Sequence, residues 1–303
     1  MRKRPWILPA GMWIVAGVAV VMTVMDKQRD YLPATELPEG LQYVAPRQWA
    51  AAHATDRFRP NGWIRLVPDH NEEAINKPRG DASKPDDPHY IGPETCADCH
   101  PKKFEGYSQT AHYRTSRTPN LTTIQGSFDP GENHLETRNE HLHYEMQSRS
   151  DGLYQTVFIE HDDQVYSHAE KIDIVTGSGN HAQTFLYWKD DRLYELPVTH
   201  FTDGDQWVNS PNYVDGTADF ARPVPPSCLE CHTTYFKYVE GSLNRYVKDR
   251  SILGISCERC HGPGSSHVEF HRNNPDATDA MHIIYPGNLP RLRKIEICAQ
   301  CHS

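Results

Sequence analysis

Residues Cys96 to His112 read CADCHPKKFEGYSQTAH: two cysteines three apart, a histidine directly after them, and a second histidine twelve residues further on. The five-residue pattern returns as CLECH (Cys228, Cys231, His232), CERCH (Cys257, Cys260, His261) and CAQCH (Cys298, Cys301, His302). All eight cysteines are used and none is left over. C-x-x-C-H is the signature of covalent c-type haem attachment. Two thiols add to the vinyl groups on one porphyrin edge, and the adjacent histidine reaches the iron as its fixed axial ligand. The motifs therefore predict four covalently bound c-type haems, held by these eight cysteines with His100, His232, His261 and His302 on the irons.

Two plainer readings compete. Zinc ribbons built from the 228/231 and 257/260 pairs would satisfy a four-thiolate geometry, but leave the four following histidines unexplained. Disulfides between cysteines three apart are geometrically poor, and a redox C-x-x-C does not come in fours.

Composition agrees with an interior that is not all polypeptide. Hydrophobic residues make up 37% of the 303, below the ~45–50% usual in globular proteins, and the 23 prolines and 19 glycines thin the core further. Four porphyrins would supply large flat apolar bodies to wrap, so most of the chain after Gly92 is expected not to fold without them. The formal charge of −9 gives no sign of nucleic-acid binding. Haem propionates would add to it, which predicts a redox partner that docks through a basic patch.

The chain opens with Arg2, Lys3 and Arg4, then an uncharged run from Pro5 to Met25, then Asp26, Lys27 and Arg29. That run is long enough to span a bilayer core, and its basic flank places the N-terminus in the cytoplasm. No small-x-small cleavage site closes it, which favours an uncleaved signal anchor. The expected location is the bacterial cytoplasmic membrane, with one span and the haem region in the periplasm; the alternative is release into the periplasm after cleavage.

Five stretches follow: an anchor (1–30), a tether (31–90), a first haem segment (91–120), a β-rich region (121–226) and a segment with haem sites two to four (227–303). The tether is polar and proline-punctuated, with one short strand at Trp63–Val67. Phe104, Tyr107 and Ala111 at helical spacing predict a helix from Lys102 to Ser116. Between His141 and Leu196 apolar and polar residues alternate, with turns at Asp151-Gly152, Asp162-Asp163 and Asp190-Asp191, which predicts five or six antiparallel strands. The fold class is α+β: a haem-packed cytochrome of short helices and loops with an inserted antiparallel β-rich region.

Each iron has a second axial position to fill. Of six methionines, only Met146 and Met281 lie beyond the anchor, so at most two haems have His/Met ligation. Fourteen histidines remain after the motif histidines, so bis-histidine ligation dominates. His112, if helical from His100, stands about 18 Å away along the axis, too far to return to the same iron; a neighbouring haem or the surface takes it. His267 follows His261 by six residues through a Gly262-Pro263-Gly264 turn, which favours another iron over its own haem. His181 sits in TGSGNHAQTF, where a phosphate loop fails for want of a following Lys-Ser/Thr; a flexible turn approaching a porphyrin and a surface β-loop both remain. His53, His70 and His89 read as surface residues, and His143, His168, His200, His271 and His282 as surface or hydrogen-bonded.

CADCHPKKFEGYSQTAH, CLECH, CERCHGPGSSH and CAQCH resemble the tetrahaem cytochrome c family of nitrifying bacteria, whose member accepts electrons from hydroxylamine oxidation. The resemblance covers about Ile91–Ser116 and Ser227–Ser303. It implies distal-ligand roles for His112 and His267, and it implies that one iron lacks a protein sixth ligand. The β-rich insertion departs from that family. GSGNHAQTFLYWKDDRLYELPV and FARPVPPSCLECH instead look similar to membrane-tethered multihaem cytochromes that often continue into a helical-repeat tail. Ser303 directly follows the last motif, so the chain is a fragment or its fourth distal ligand comes from upstream.

Two functions are expected from these readings. The first is a membrane-tethered electron carrier between redox partners outside the cytoplasm, since bis-histidine irons exchange electrons and bind no substrate. The alternative is a haem enzyme whose one open iron acts on a small nitrogen or sulfur compound, with His200, Arg192 or Tyr194 nearby. A sensor or scaffold using haem as a staple is a third.

Overall fold

The computed structural model describes residues 32–33, 36–37, 63–66 and 89–302. The expected anchor and most of the tether lie outside the described residues. No described helix is long and apolar enough to cross a membrane. In the tether, the strand expected at Trp63–Val67 is present as Ile64–Arg65.

The strands are β1 (Leu32–Pro33), β2 (Ile64–Arg65), β3 (Ser116–Arg117), β4 (His134–Glu136), β5 (Leu142–Arg149), β6 (Gly152–His161), β7 (Gln164–Lys171) and β8 (Ile174–Thr176). After them come β9 (Ala182–Lys189), β10 (Arg192–Glu195), β11 (Val198–Phe201), β12 (Gln206–Asn209), β13 (Ala218–Asp219), β14 (Arg222–Pro223), β15 (Thr233–Tyr238) and β16 (Tyr246–Leu253). One sheet runs β1-β7-β6-β5-β4 and a second β12-β11-β9-β10-β14, with β8 joining β9 and β3 joining β8. The chain is thus α+β, its sheets built almost wholly from antiparallel pairs.

Local chemistry sets these strands. In β5 the inward positions Leu142, Tyr144 and Met146 alternate with half-buried polar ones, the period-two signature of a sheet with one dry face. His161 pairs with Gln164 across a two-residue turn in which Asp162 and Asp163 both take positive φ, as the tightest hairpin turn demands. Asp190 does the same between β9 and β10. Between His141 and Leu196 the structure has six strands, β5 to β10, in agreement with the five or six that alternation predicts. Six more, β3, β4 and β11 to β14, lie outside that span between the first two motifs; each has two to four residues, too short for a period of two to register.

The β-rich region has a polypeptide core of its own. Leu142, Tyr144, Val157, Ile159, Phe185, Tyr187, Leu196, Val198 and Phe220 form one buried cluster. The second sheet is covered on its other face too: Ile174, Leu186 and Leu193 pack with Val224, Leu229 and Tyr246. Leu229 belongs to the second motif, so this cluster docks that motif on the sheet. The expectation that porphyrins must supply the interior after Gly92 therefore narrows to the motif segments.

Those segments are short helices: α1 (Pro93–Cys99), α2 (Pro101–Tyr107), α3 (Pro226–His232), α4 (Cys257–His261), α5 (Ser265–Asn273) and α6 (Arg291–Ala299). No residue of α2, α5 or α6 is buried. The helix expected over Lys102–Ser116 stops at Tyr107. Ser108 and Thr110 turn their hydroxyls onto the carbonyls of Glu105 and Tyr107, local bonds that compete with helix propagation. The chain then doubles back, so that Tyr113 meets Phe104 and Tyr107 edge-on.

Candidate haem site

Each motif's first cysteine lies in a short helix. Residues i, i+3 and i+4 of a helix share one face, so helical winding sets both thiols and the histidine towards one side. That is the arrangement a porphyrin edge and its iron need. All eight cysteines are free.

Thiols of different motifs influence one another. Cys257 raises the Cys96 pKa, and Cys96 lowers that of Cys257 to about 7. Burial raises Cys231, and Cys301 raises it further. Burial raises Cys260 as well, with the charge of Cys298 adding to it. Direct contacts join the motifs: Ile91 and Gly92, leading into motif one, donate to Glu258 of motif three. Arg259 of motif three donates to Glu230 O of motif two at 2.7 Å, and Cys301 Sγ of motif four lies 3.6 Å from the same oxygen.

The histidines pair in the same way. The His100 and His267 rings have centroids 6.5 Å apart with planes 18° from parallel. The His112 and His302 rings are 6.0 Å apart at 87°. With metal–imidazole bonds of about 2.0–2.1 Å, two imidazoles on opposite sides of one metal have centroids about 6 Å apart. The separations match; the first pair is stacked and the second edge-on, so each ring would turn its Nε2 towards a bound iron.

Other ring nitrogens are fixed by backbone carbonyls. His261 Nδ1–H donates to Ile284 O at 2.8 Å and His267 Nδ1–H to Met281 O at 2.7 Å. His232 Nδ1 lies 3.0 Å from Thr115 Oγ1 and 3.2 Å from Thr115 O. A proton held on Nδ1 leaves the Nε2 lone pair for a metal, the usual arrangement of a ligating imidazole. Around motifs three and four, Met281, Ile284, Tyr285, Leu292 and Ile295 are exposed. Cys298 is exposed and Cys257, Cys260 and Cys301 are half-buried; apolar side chains in such a segment are what a bound porphyrin would cover. The residues fit haem. Zinc held by protein groups alone fits less well: among the described residues no three of His, Cys, Asp or Glu are grouped to hold an ion.

Of the three distal candidates, His267 and His112 face motif histidines. His112 is placed by Ile255 N–H, which donates to its carbonyl at 2.9 Å. The neighbouring Gly254 has φ +71°, and a Cβ there would lie 2.1 Å from Tyr113 O, so only glycine permits this approach. His181 lies elsewhere: it is 84% exposed, with Nδ1 3.6 Å from Asp203, and among the described residues no motif imidazole stacks against it. Met146 is fully buried in the β core, which removes it as an axial ligand. His200 is buried beside Trp207 and meets Asp205 at 3.1 Å. Sequence reasoning missed Glu258, buried within motif three, and the carbonyls of Thr115, Met281 and Ile284; backbone acceptors carry no residue-type signal.

Beside motif two, Glu195 at the end of β10 lies 3.2 Å from Arg222 Nε, and the Arg222 guanidinium sits over the Tyr213 ring. Burial outweighs Arg222 and pushes the Glu195 pKa from 4.5 to about 7. The folded protein thus holds a proton that the unfolded chain releases between these values. Its contribution to stability is complete below the unfolded pKa and is lost as pH rises through the folded one. Glu195→Gln stays neutral, so from pH 5 to pH 8 it should gain on the wild type by on the order of 2–3 kcal/mol. Urea midpoints at the two pH values check this; an equal difference at both refutes it.

Residues 180–262 match the family model described as cytochrome c554 and c-prime, a stretch that holds motifs two and three. No curated protein matches the chain. Among solved structures, "Outer Cell Wall Cytochrome OcwA" aligns at 19% identity and TM-score 0.44 over 71% of this chain and 37% of that one. The "undecaheme cytochrome from S-layer of Carboxydothermus ferrireducens" aligns at 19% identity and TM-score 0.39, over 71% and 25%. The chain spans about a third or less of the length of these structures. The family match, set beside the four motifs and the paired imidazoles, supports reading the chain as a multihaem c-type cytochrome.

Proposed function

We propose that the protein is a membrane-tethered tetrahaem cytochrome that passes electrons between redox partners outside the cytoplasm. The observation that carries this is the pairing of His267 with His100 and of His112 with His302 at the separation of two imidazoles on one metal. In this reading His267 serves the haem of Cys96 and Cys99, and His112 that of Cys298 and Cys301. His181, exposed beside Asp203, serves none. When bound, the haem iron supplies a one-electron couple, and an iron held on both sides by imidazole has no position for a substrate. This chain's own residues accept the Nδ1–H bonds of His261 and His267 on backbone carbonyls and bring neighbouring motifs together, so electrons would have short steps from one haem to the next.

The basic and then apolar opening of the sequence supports an anchor and export, and export agrees with covalent haem attachment. The acidic chain suits a partner with a basic docking patch. The test is the intact mass of protein matured with haem-attachment machinery: the polypeptide plus four haems is expected. Electron paramagnetic resonance of the ferric protein should then show low-spin iron at least for the haems of Cys96/Cys99 and Cys298/Cys301. A mass equal to the bare chain, or bound zinc, overturns the proposal; a stoichiometric high-spin signal overturns the carrier in favour of an enzyme with an open iron.

A further inference from the structure

Glu258 is the second residue of CERCH, and it is 2% exposed. A buried carboxylate is costly unless hydrogen bonds replace its water. Here three backbone N–H groups do so, each at 2.9 Å: Ile91 and Gly264 donate to Oε1 and Gly92 to Oε2. The donors come from two places. Ile91 and Gly92 lead into α1, which bears Cys96 and Cys99, and Gly264 ends the turn after α4, which bears Cys257 and Cys260. One side chain therefore clips motif one to motif three. Among the described residues Glu258 forms no ion pair, so peptide dipoles alone balance it.

We propose that Glu258 is a positioning residue that fixes the spacing of the first and third haems, and that its negative charge beside both holds their potentials down. The inference rests on the haem reading above. Oxidised haem iron carries one more positive charge than reduced iron, and a fixed nearby anion favours the oxidised form. A purely structural clip would hold the motifs together without setting potentials.

Wild type, Glu258→Gln and Glu258→Asp holoproteins are compared by intact mass, by potentiometric titration of the visible spectrum and by electron paramagnetic resonance. Glu258→Gln, nearly isosteric and neutral, should raise the midpoint potentials of two of the four haems and leave the other two in place. Glu258→Asp keeps the charge, so its four potentials should match those of the wild type. Unmoved potentials in Glu258→Gln, equal shifts in all four haems, or the same upward shift in both variants overturn the inference. If Glu258→Gln does not mature, Glu258→Asp alone decides, and two raised potentials in it refute the idea. A wild-type mass without four haems overturns the underlying reading instead.

Discussion

Replacing His267 with alanine is expected to turn one low-spin haem, the one attached at Cys96 and Cys99, high-spin. The imidazole facing His100 disappears, and that iron is left with a single histidine. His112→Ala should do the same to a different haem, the one attached at Cys298 and Cys301. The double variant should convert two, because the two ring pairs share no residue. His181→Ala should convert none, since its ring lies by Asp203. Spin quantitation by electron paramagnetic resonance on protein with a verified haem count gives the readout. A His267→Ala spectrum that stays fully low-spin would sink the assignment. So would conversion in His181→Ala, which would show that the facing rings are not the ligand pairs.

The second large effect is on stability. Arg65, 2% exposed, donates from Nε to Asp219 Oδ1 at 2.7 Å and from its second guanidinium nitrogen to Oδ2. The two residues are register partners in the parallel pair β2–β13. Arg65→Ala leaves Asp219 without that partner at the edge of the core. Breaking such a pair costs about 3 kcal/mol, which for a body of this size lowers the melting temperature by about 6–12 °C. Adding Asp219→Ala to Arg65→Ala should then cost little more, because coupled partners are not additive. Thermal melts of the four proteins of this cycle check both points. Additive losses would mean that the two side chains act separately.

What could be read from the sequence follows from how local each signal is. The C-x-x-C-H motifs place eight cysteines and four histidines without reference to any other part of the chain, and the aspartate turns at Asp162-Asp163 and Asp190 mark the hairpins just as locally. The helix over Lys102–Ser116 was over-read because the periodicity of Phe104, Tyr107 and Ala111 says nothing of Ser108 and Thr110 bonding back to the chain. The facing of His267 and His100 depends on residues 167 positions apart in sequence. Only the assembled fold can bring them together. Glu258 was invisible for a related reason: its partners are backbone amides, and a glutamate inside a motif has no pattern that distinguishes a buried clip from a solvated side chain.

The nearness of Cys96 to Cys257 and of Cys231 to Cys301 would bear on biogenesis. In an oxidising compartment disulfides form and persist. A polypeptide that closed up before loading would present mismatched thiols to any oxidant, and oxidation would staple one motif to another. If porphyrins load there, insertion would have to outrun collapse; a cross-linked, colourless by-product would be the mark of losing that race.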